Sequence, residues 1–232
     1  MKTIGLIGGM SWESSAMYYR LFNEAVRAEL GGLHSARLVM WSVDFDDIAR
    51  QQAAGDWEAS GRLLADAAAA LERAGADAIL LATNTMHKVS DAIKGAISVP
   101  FLHLADVTAE AVKASGSQKP LVLATRYTME QRFYLDRLER AGLQPVVPVQ
   151  EDRDTVHRII YDELCRGVVK ADSRDALLAI IAREAAKGAD GVILGCTELG
   201  MILAADDSPL PVYDTTRLHV AAGVAYALNL NA

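Results

Sequence analysis

The feature that most constrains this chain is an internal repeat. Residues 75–85 read GADAILLATNT and residues 188–198 read GADGVILGCTE. Each copy follows an alanine-rich helical stretch and ends where a buried strand should open into a loop. Two more pairs stand in the same order at nearly the same offset: TIGLIGGMSWE (3–13) with PLVLATRYTME (120–130), and VPFLHLAD (99–106) with LPVYDTTR (210–217). Three ordered matches point to duplication of one structural unit.

The pattern inside each copy says what that unit is. Short apolar runs stand at Thr3–Ile7, Arg37–Val43, Ala78–Leu81 and Pro100–Leu102, then again at Pro120–Ala124, Pro145–Val149, Gly191–Leu194 and Pro211–Tyr213. Helical stretches lie between them: Glu13–Leu30, Asp56–Ala74 and Lys88–Lys94, then Met129–Ala141, Thr155–Gly167, Ser173–Lys187 and Arg217–Leu228. Strands alternating with helices require crossover connections and parallel sheets covered on both faces. The expected fold class is α/β, with two similar lobes related by pseudo-twofold symmetry. We place one lobe at 1–98 plus 209–232 and the other at 99–208. A site is expected in the cleft between them, at the carboxyl ends of facing strands.

Composition removes several classes of function. Lys and Arg are scattered and the net charge is −7, which disfavours a nucleic-acid partner. No apolar stretch approaches the roughly 18 residues of a bilayer span, so no membrane partner is expected. Two cysteines, Cys165 and Cys196, make no disulfide framework, and no Cys/His spacing suggests a metal site. We therefore expect a cytoplasmic protein with reduced thiols and no bound metal.

The loops after the strands carry the chemistry. Cys196 stands at a strand end beside Thr197 and Glu198, where a thiol can have a depressed pKa and act as a base. Cys165, inside the helical stretch YDELCRG, reads as structural. Thr83, Asn84 and Thr85 offer neutral donors suited to a carboxylate; His87 and Lys88 after them read as solvated or capping. In the repeat, Thr83 pairs with Cys196 and Ser11 with Thr128. Thr128 with Gln131 fits a capping box. Gly8-Gly9-Met10 permits close approach of backbone to a ligand, but it is not the GxGxxG dinucleotide fingerprint.

Taken together, GLIGGMSWESS (5–15), SVDF (42–45), TNTMHK (83–88), TRYTMEQ (125–131), GCTE (195–198) and YDTTRLHV (213–220) resemble the aspartate/glutamate racemase family. The GGMSWES and TNTMHK signatures are most similar to its bacterial L-aspartate/glutamate-specific branch. The resemblance implies an isomerase of two α/β lobes that uses no cofactor, binds a small amino-acid substrate and assembles as a homodimer. It also implies two opposed cysteines that exchange the α-proton from opposite faces. Here the first of those positions is Thr83. A hydroxyl is a far weaker acid than a thiol and a poor base. The resemblance therefore implies Cys196 as base toward L-Glu or L-Asp, with Thr83 catalytic on the opposite face. Substrate contacts are expected from Met10, Ser11, Gln52, Asn84, Thr85, Thr125, Thr128, Thr197 and Glu198. Asp44 and Asp47 read as a strand-end turn, while Asp214 and His219 read as support for the lobe junction. Two other functions fit the same residues: a single-cysteine decarboxylase or isomerase of this superfamily, and a non-catalytic protein that binds acidic amino acids.

Overall fold

The computed structural model describes residues 1–230. The chain divides into two compact units, Met1–Leu104 with the chain from His219 onward, and Ala105–Leu218. Each is built on a parallel sheet between helices, so the class is α/β as expected.

In the first unit β1 (Ile4–Gly8) runs between β2 (Leu38–Ser42) and β3 (Ala78–Leu81). Alternation of side chains along these strands fills two cores. On one face Ile4, Leu6, Ala78 and Leu80 pack with Tyr18, Phe22 and Val26 of α1 (Trp12–Leu30). Val220 and Val224 of α10 (Thr215–Leu228) join them. On the other face Ile7, Ile79 and Leu81 pack with Leu64, Ala67, Ala68 and Leu71 of α3 (Trp57–Arg73). Ile48 from α2 (Phe45–Ala54) and Ile93 from α4 (Ser90–Gly95) close that layer.

In the second unit β4 (Pro120–Ala124), β5 (Gly191–Gly195) and β6 (Val212–Asp214) form the sheet, with β5 in the middle. Every residue of β4 and β5 is buried. Helices α5 (Leu104–Ala114), α6 (Arg126–Glu130), α7 (Arg132–Arg140), α8 (Gln150–Arg158) and α9 (Ala171–Ala186) complete the unit.

The repeat is visible as strand register. One row across the first sheet reads Val39, Gly5, Ile79 and Phe101. The matching row of the second reads Val146, Leu121, Val192 and Val212. The strands start alike too. Asp77 and Asp190, each from a Gly-Ala-Asp triplet, accept hydrogen bonds from the backbone leading into β1 and β4. Thr3 N donates to Asp77 Oδ2 at 2.6 Å. Gln118 N and Lys119 N donate to Asp190 at 2.7 and 2.9 Å, and Ser117 Oγ donates at 2.5 Å.

Several expected elements are cut short. The runs at 100–102 and 145–149 reduce to single bridges, Phe101 with Ile79 and Val146 with Leu121. The stretch Thr155–Gly167 is α8 followed by a π-helical turn (Ile159–Glu163) and a 3-10 turn (Leu164–Arg166). Met129–Ala141 is split between α6 and α7 by Gln131, whose backbone is extended. Helices α2 and α5 were not expected. Asp44 caps α2 through a 3.0 Å bond from Asp46 N, while Asp47 pairs with Arg50 in its first turn. No helix among the described residues is long and apolar enough to cross a membrane.

Candidate active site

The expected site residues fall into two sets, each following the carboxyl ends of two neighbouring strands, apart from Gln52 on α2. In the first unit, β1 turns into α1 through Gly9, at φ +96°. A Cβ there would lie 2.1 Å from the Val43 carbonyl oxygen, so only glycine fits. Ser15 ties the turn from within. Its Oγ accepts from Gly9 N at 2.7 Å and donates to the Ser11 carbonyl at 2.9 Å. Ser11 Oγ caps α1 by accepting from Ser14 N at 3.2 Å. Met10 and Gln52 are both buried, and Gln52 Nε2 donates to Met86 Sδ at 2.9 Å.

At the end of β3 the chain passes through Thr83 and Asn84 into a 3-10 turn, Thr85–Val89. Thr83, Asn84 and Thr85 are all buried. His87 is buried as well, contrary to the solvated or capping role expected for it. Its Nε2 accepts from Leu104 N at 3.2 Å, so the ring proton sits on Nδ1, which donates to the Thr83 carbonyl at 2.7 Å. Lys88, partly buried, lies over the Trp57 ring at 3.9 Å. Behind this layer His219 bridges the Leu102 carbonyl (2.8 Å) and the Tyr18 hydroxyl (3.0 Å). Burial lowers its pKa to about 4, partly opposed by the Leu102 bond.

In the second unit, Thr125 rather than Thr128 caps the helix after β4. Its side chain accepts from Thr128 N at 3.4 Å. The capping box expected of Thr128 and Gln131 is absent because helical backbone begins at Arg126 and ends before Gln131. Thr128 is instead a buried residue inside α6, with its hydroxyl 3.3 Å from that of Thr125.

At the end of β5, Cys196 leads into a 3-10 turn, Thr197–Met201. Its thiol donates to Glu198 Oε2 at 3.0 Å. Thr197 Oγ1 donates to the same oxygen at 2.7 Å. Cys196, Thr197 and Glu198 are all buried. Burial pushes the Cys196 thiol well above its ordinary range, and the Glu198 charge pushes the same way. The expected depressed pKa is therefore overturned, because burial and the neighbouring Glu198 charge both disfavour the thiolate. Cys196 rests as a thiol.

Sequence reasoning missed Tyr161. It sits on the π-helical turn, against the His157 ring at 4.6 Å. His157 Nδ1 in turn accepts from Arg126 N at 3.3 Å, at the start of α6. Burial first, then Tyr127, Cys196 and Glu198, keep the Tyr161 phenol protonated. An extra residue in a helical turn leaves no mark in the apolar periodicity, so nothing in the sequence singled it out. Cys165 follows in the 3-10 turn and also contributes to the upward push on Cys196.

Thr83 and Cys196 occupy the same position in their own units, the same number of residues beyond Ile79 and Val192 of the matching rows. The same count equates Asn84 with Thr197 and Thr85 with Glu198. Within the second unit, a neutral donor, Thr197, beside the proton-bearing Cys196 thiol suits stabilisation of an oxyanion and proton transfer at carbon. Among the described residues no group of three or more His, Cys, Asp or Glu is placed to hold a metal ion.

Comparison with known proteins gives the family. A crystal structure of a candidate Asp/Glu racemase from Yersinia pestis matches with TM-score 0.91 and 50% identity, covering 98% of this chain and 100% of that one. An aspartate racemase homologue from Pyrococcus horikoshii OT3 matches with TM-score 0.86 and 35% identity, at 98% and 100% coverage. The broad specificity amino-acid racemase RacX of Bacillus subtilis (strain 168) is 28% identical over 165 residues, 69% of each chain. The model of the Asp/Glu/hydantoin racemase family matches residues 7–223. This chain is a member of the Asp/Glu/hydantoin racemase family.

Proposed function

We propose that this protein is a cofactor-independent racemase of acidic amino acids that favours the L enantiomer. Cys196 removes the α-proton, and Thr83 serves the opposite face of the carbanion as proton donor or by positioning water. The observation that carries this is the equivalence of the two residues: the same place after the same strand holds a thiol in one unit and a hydroxyl in the other. A catalyst with one thiol has one effective base, so the two directions differ in rate.

The α-proton of an amino acid is weakly acidic, so the substrate carboxylate must be held by donors that favour the enediolate-like transition state. Asn84, Thr85 and Thr197, with adjoining backbone N–H groups, are assigned that task. Met10, Ser11, Gln52, Thr125 and Thr128 line the remainder of the substrate's path. The protein acts as a homodimer in the cytoplasm, as the family resemblance implies. The name of the RacX relative extends the substrates worth testing beyond Asp and Glu.

The deciding experiment is incubation of L- and D-Asp and Glu, with a panel of neutral amino acids, in deuterated water. Label entering Cα faster from L-Asp or L-Glu, followed by appearance of the D form, supports the proposal. Binding without label at Cα overturns it in favour of a sensor. Release of carbon dioxide from a malonate-type substrate, with no exchange on amino acids, overturns it in favour of a decarboxylase.

A further inference from the structure

We propose that the second unit holds a further small-molecule site, a cavity between the Thr197–Met201 turn and the first turn of α10, and that it takes a zwitterionic α-amino acid with an apolar side chain. The proposal does not rest on the racemase function above, since it concerns binding at a place apart from Cys196.

The repeat shows why a cavity stands there. Counted from Ile79 and Val192 of the matching rows, Met86 corresponds to Leu199, both fully buried, and His87 to Gly200. Counted from Phe101 and Val212 of the same rows, His103 corresponds to Asp214. In the first unit two imidazole rings fill this place, with the centroids of His87 and His103 4.5 Å apart. In the second unit one of the two positions has no side chain at all. A cavity of about 480 Å³ is lined there by both Gly200 and Asp214. That size lies within the range of small-molecule pockets, roughly 300–1,000 Å³. Its wall includes none of the expected substrate contacts.

The lining selects the class of ligand. Leu194, Leu203, Val212 and Leu218 make an apolar wall, and Asp214 and Arg217 are the charged groups on it. Asp214 Oδ1 is spent on the start of α10, accepting from Thr216 N at 2.9 Å and Arg217 N at 3.2 Å. Oδ2 leans over Gly200, where a Cβ would meet it at 2.8 Å. Arg217 Nε stands 3.4 Å from that oxygen, well beyond the roughly 2.7–2.9 Å of a tight charge-assisted bond. Burial pushes the Asp214 carboxyl above its ordinary range, and an ammonium beside it offsets that cost. A cation alone meets Arg217, and an anion alone meets Asp214. An α-amino acid carries both charges on one carbon, so its ammonium reaches Asp214 and its carboxylate reaches Arg217. Its side chain then covers the leucines and the valine.

Isothermal titration calorimetry of the full-length protein with L-leucine tests this, with and without saturating L-Glu. One binding event is expected, retained in the presence of L-Glu and in Cys196→Ser. Arg217→Ala, at a side chain two-thirds exposed, should weaken it by about 10-fold or more, the loss of one hydrogen bond to a charged group. Exchange of the α-proton of L-Glu should stay at the wild-type rate in that variant. Gly200→Ala displaces the Asp214 carboxylate and should weaken L-leucine to a similar degree. Leucinamide and N-acetyl-leucine, each lacking one charge, should bind about 10-fold more weakly to the unaltered protein. Absence of L-leucine binding at millimolar concentration overturns the proposal. Binding that L-Glu abolishes and Arg217→Ala leaves unchanged belongs to the Cys196 site and overturns it. Equal affinity for the two one-charge analogues overturns the assignment of Asp214 and Arg217.

Discussion

His87 carries the Thr83 carbonyl on Nδ1 at 2.7 Å while its Nε2 receives Leu104 N–H at 3.2 Å. One neutral ring thus fixes the backbone of the threonine and ties it to the start of α5. His87→Gln cannot make both bonds at these distances. The expected result is a loss of about 10-fold or more in exchange rate, as for a small misplacement of a reacting group. The circular-dichroism spectrum should be preserved. Unchanged exchange kinetics would remove His87 from the support of Thr83.

Cys196→Ser should abolish α-proton exchange with the fold intact, because a hydroxyl replaces the only thiol at a strand end. Cys165→Ser should retain most activity and show its effect in the urea midpoint. Turnover in Cys196→Ser equal to wild type would exclude the thiol from the chemistry.

Thr83→Cys should raise the initial rate from D-substrate relative to L. The equilibrium between enantiomers cannot change, since they have equal free energy in water, so the effect belongs to rates. Initial rates from both enantiomers, in wild type and variant, measure it. An unchanged D to L ratio would show that Thr83 does not serve the opposite face.

Gly9→Ala forces a methyl group against the Val43 carbonyl at 2.1 Å in a backbone conformation with φ +96°. A loss of about 2–4 kcal/mol is expected, read from urea unfolding. A loss below about 0.5 kcal/mol, the level of an inert surface change, would show that the turn relaxes freely.

His219 gives a pH dependence with a definite sign. Its folded pKa is depressed by burial from 6.5 to about 4. Between those values the unfolded chain binds the proton and the folded chain does not, so folding weakens as pH falls. The contribution is complete above about 6.5 and is lost toward 4, roughly 3 kcal/mol in all. Urea midpoints over that range should fall less steeply in His219→Gln, which removes the titration, than in wild type. Parallel slopes would place the acid sensitivity elsewhere.

Much of this was legible because burial leaves a strong mark. β1, β3, β4 and β5 are short apolar runs, and the Gly-Ala-Asp triplets gave their alignment. The edge positions were less legible: Phe101 and Val146 sit in runs as apolar as the rest, yet only neighbours decide whether a run becomes a strand. Cys196 and Thr83 were found through the repeat. Tyr161 was not, because a π-helical turn obeys no apolar period. The sign of the Cys196 shift was misread for a related reason. Its first cause is burial and its second a carboxylate two residues along that folds back onto the thiol, and both are properties of the folded turn rather than of residue order.

Asp77 and Asp190 bind the backbone entering β1 and β4, while Thr83-Asn84-Thr85 and Cys196-Thr197-Glu198 follow the opposite ends of β3 and β5. The scaffold is thus anchored at one edge and variable at the other. Under the proposed function, a duplicated gene with this division can change its stereochemical preference through a few buried residues beyond the strand ends, with the strand register shared by both units left alone.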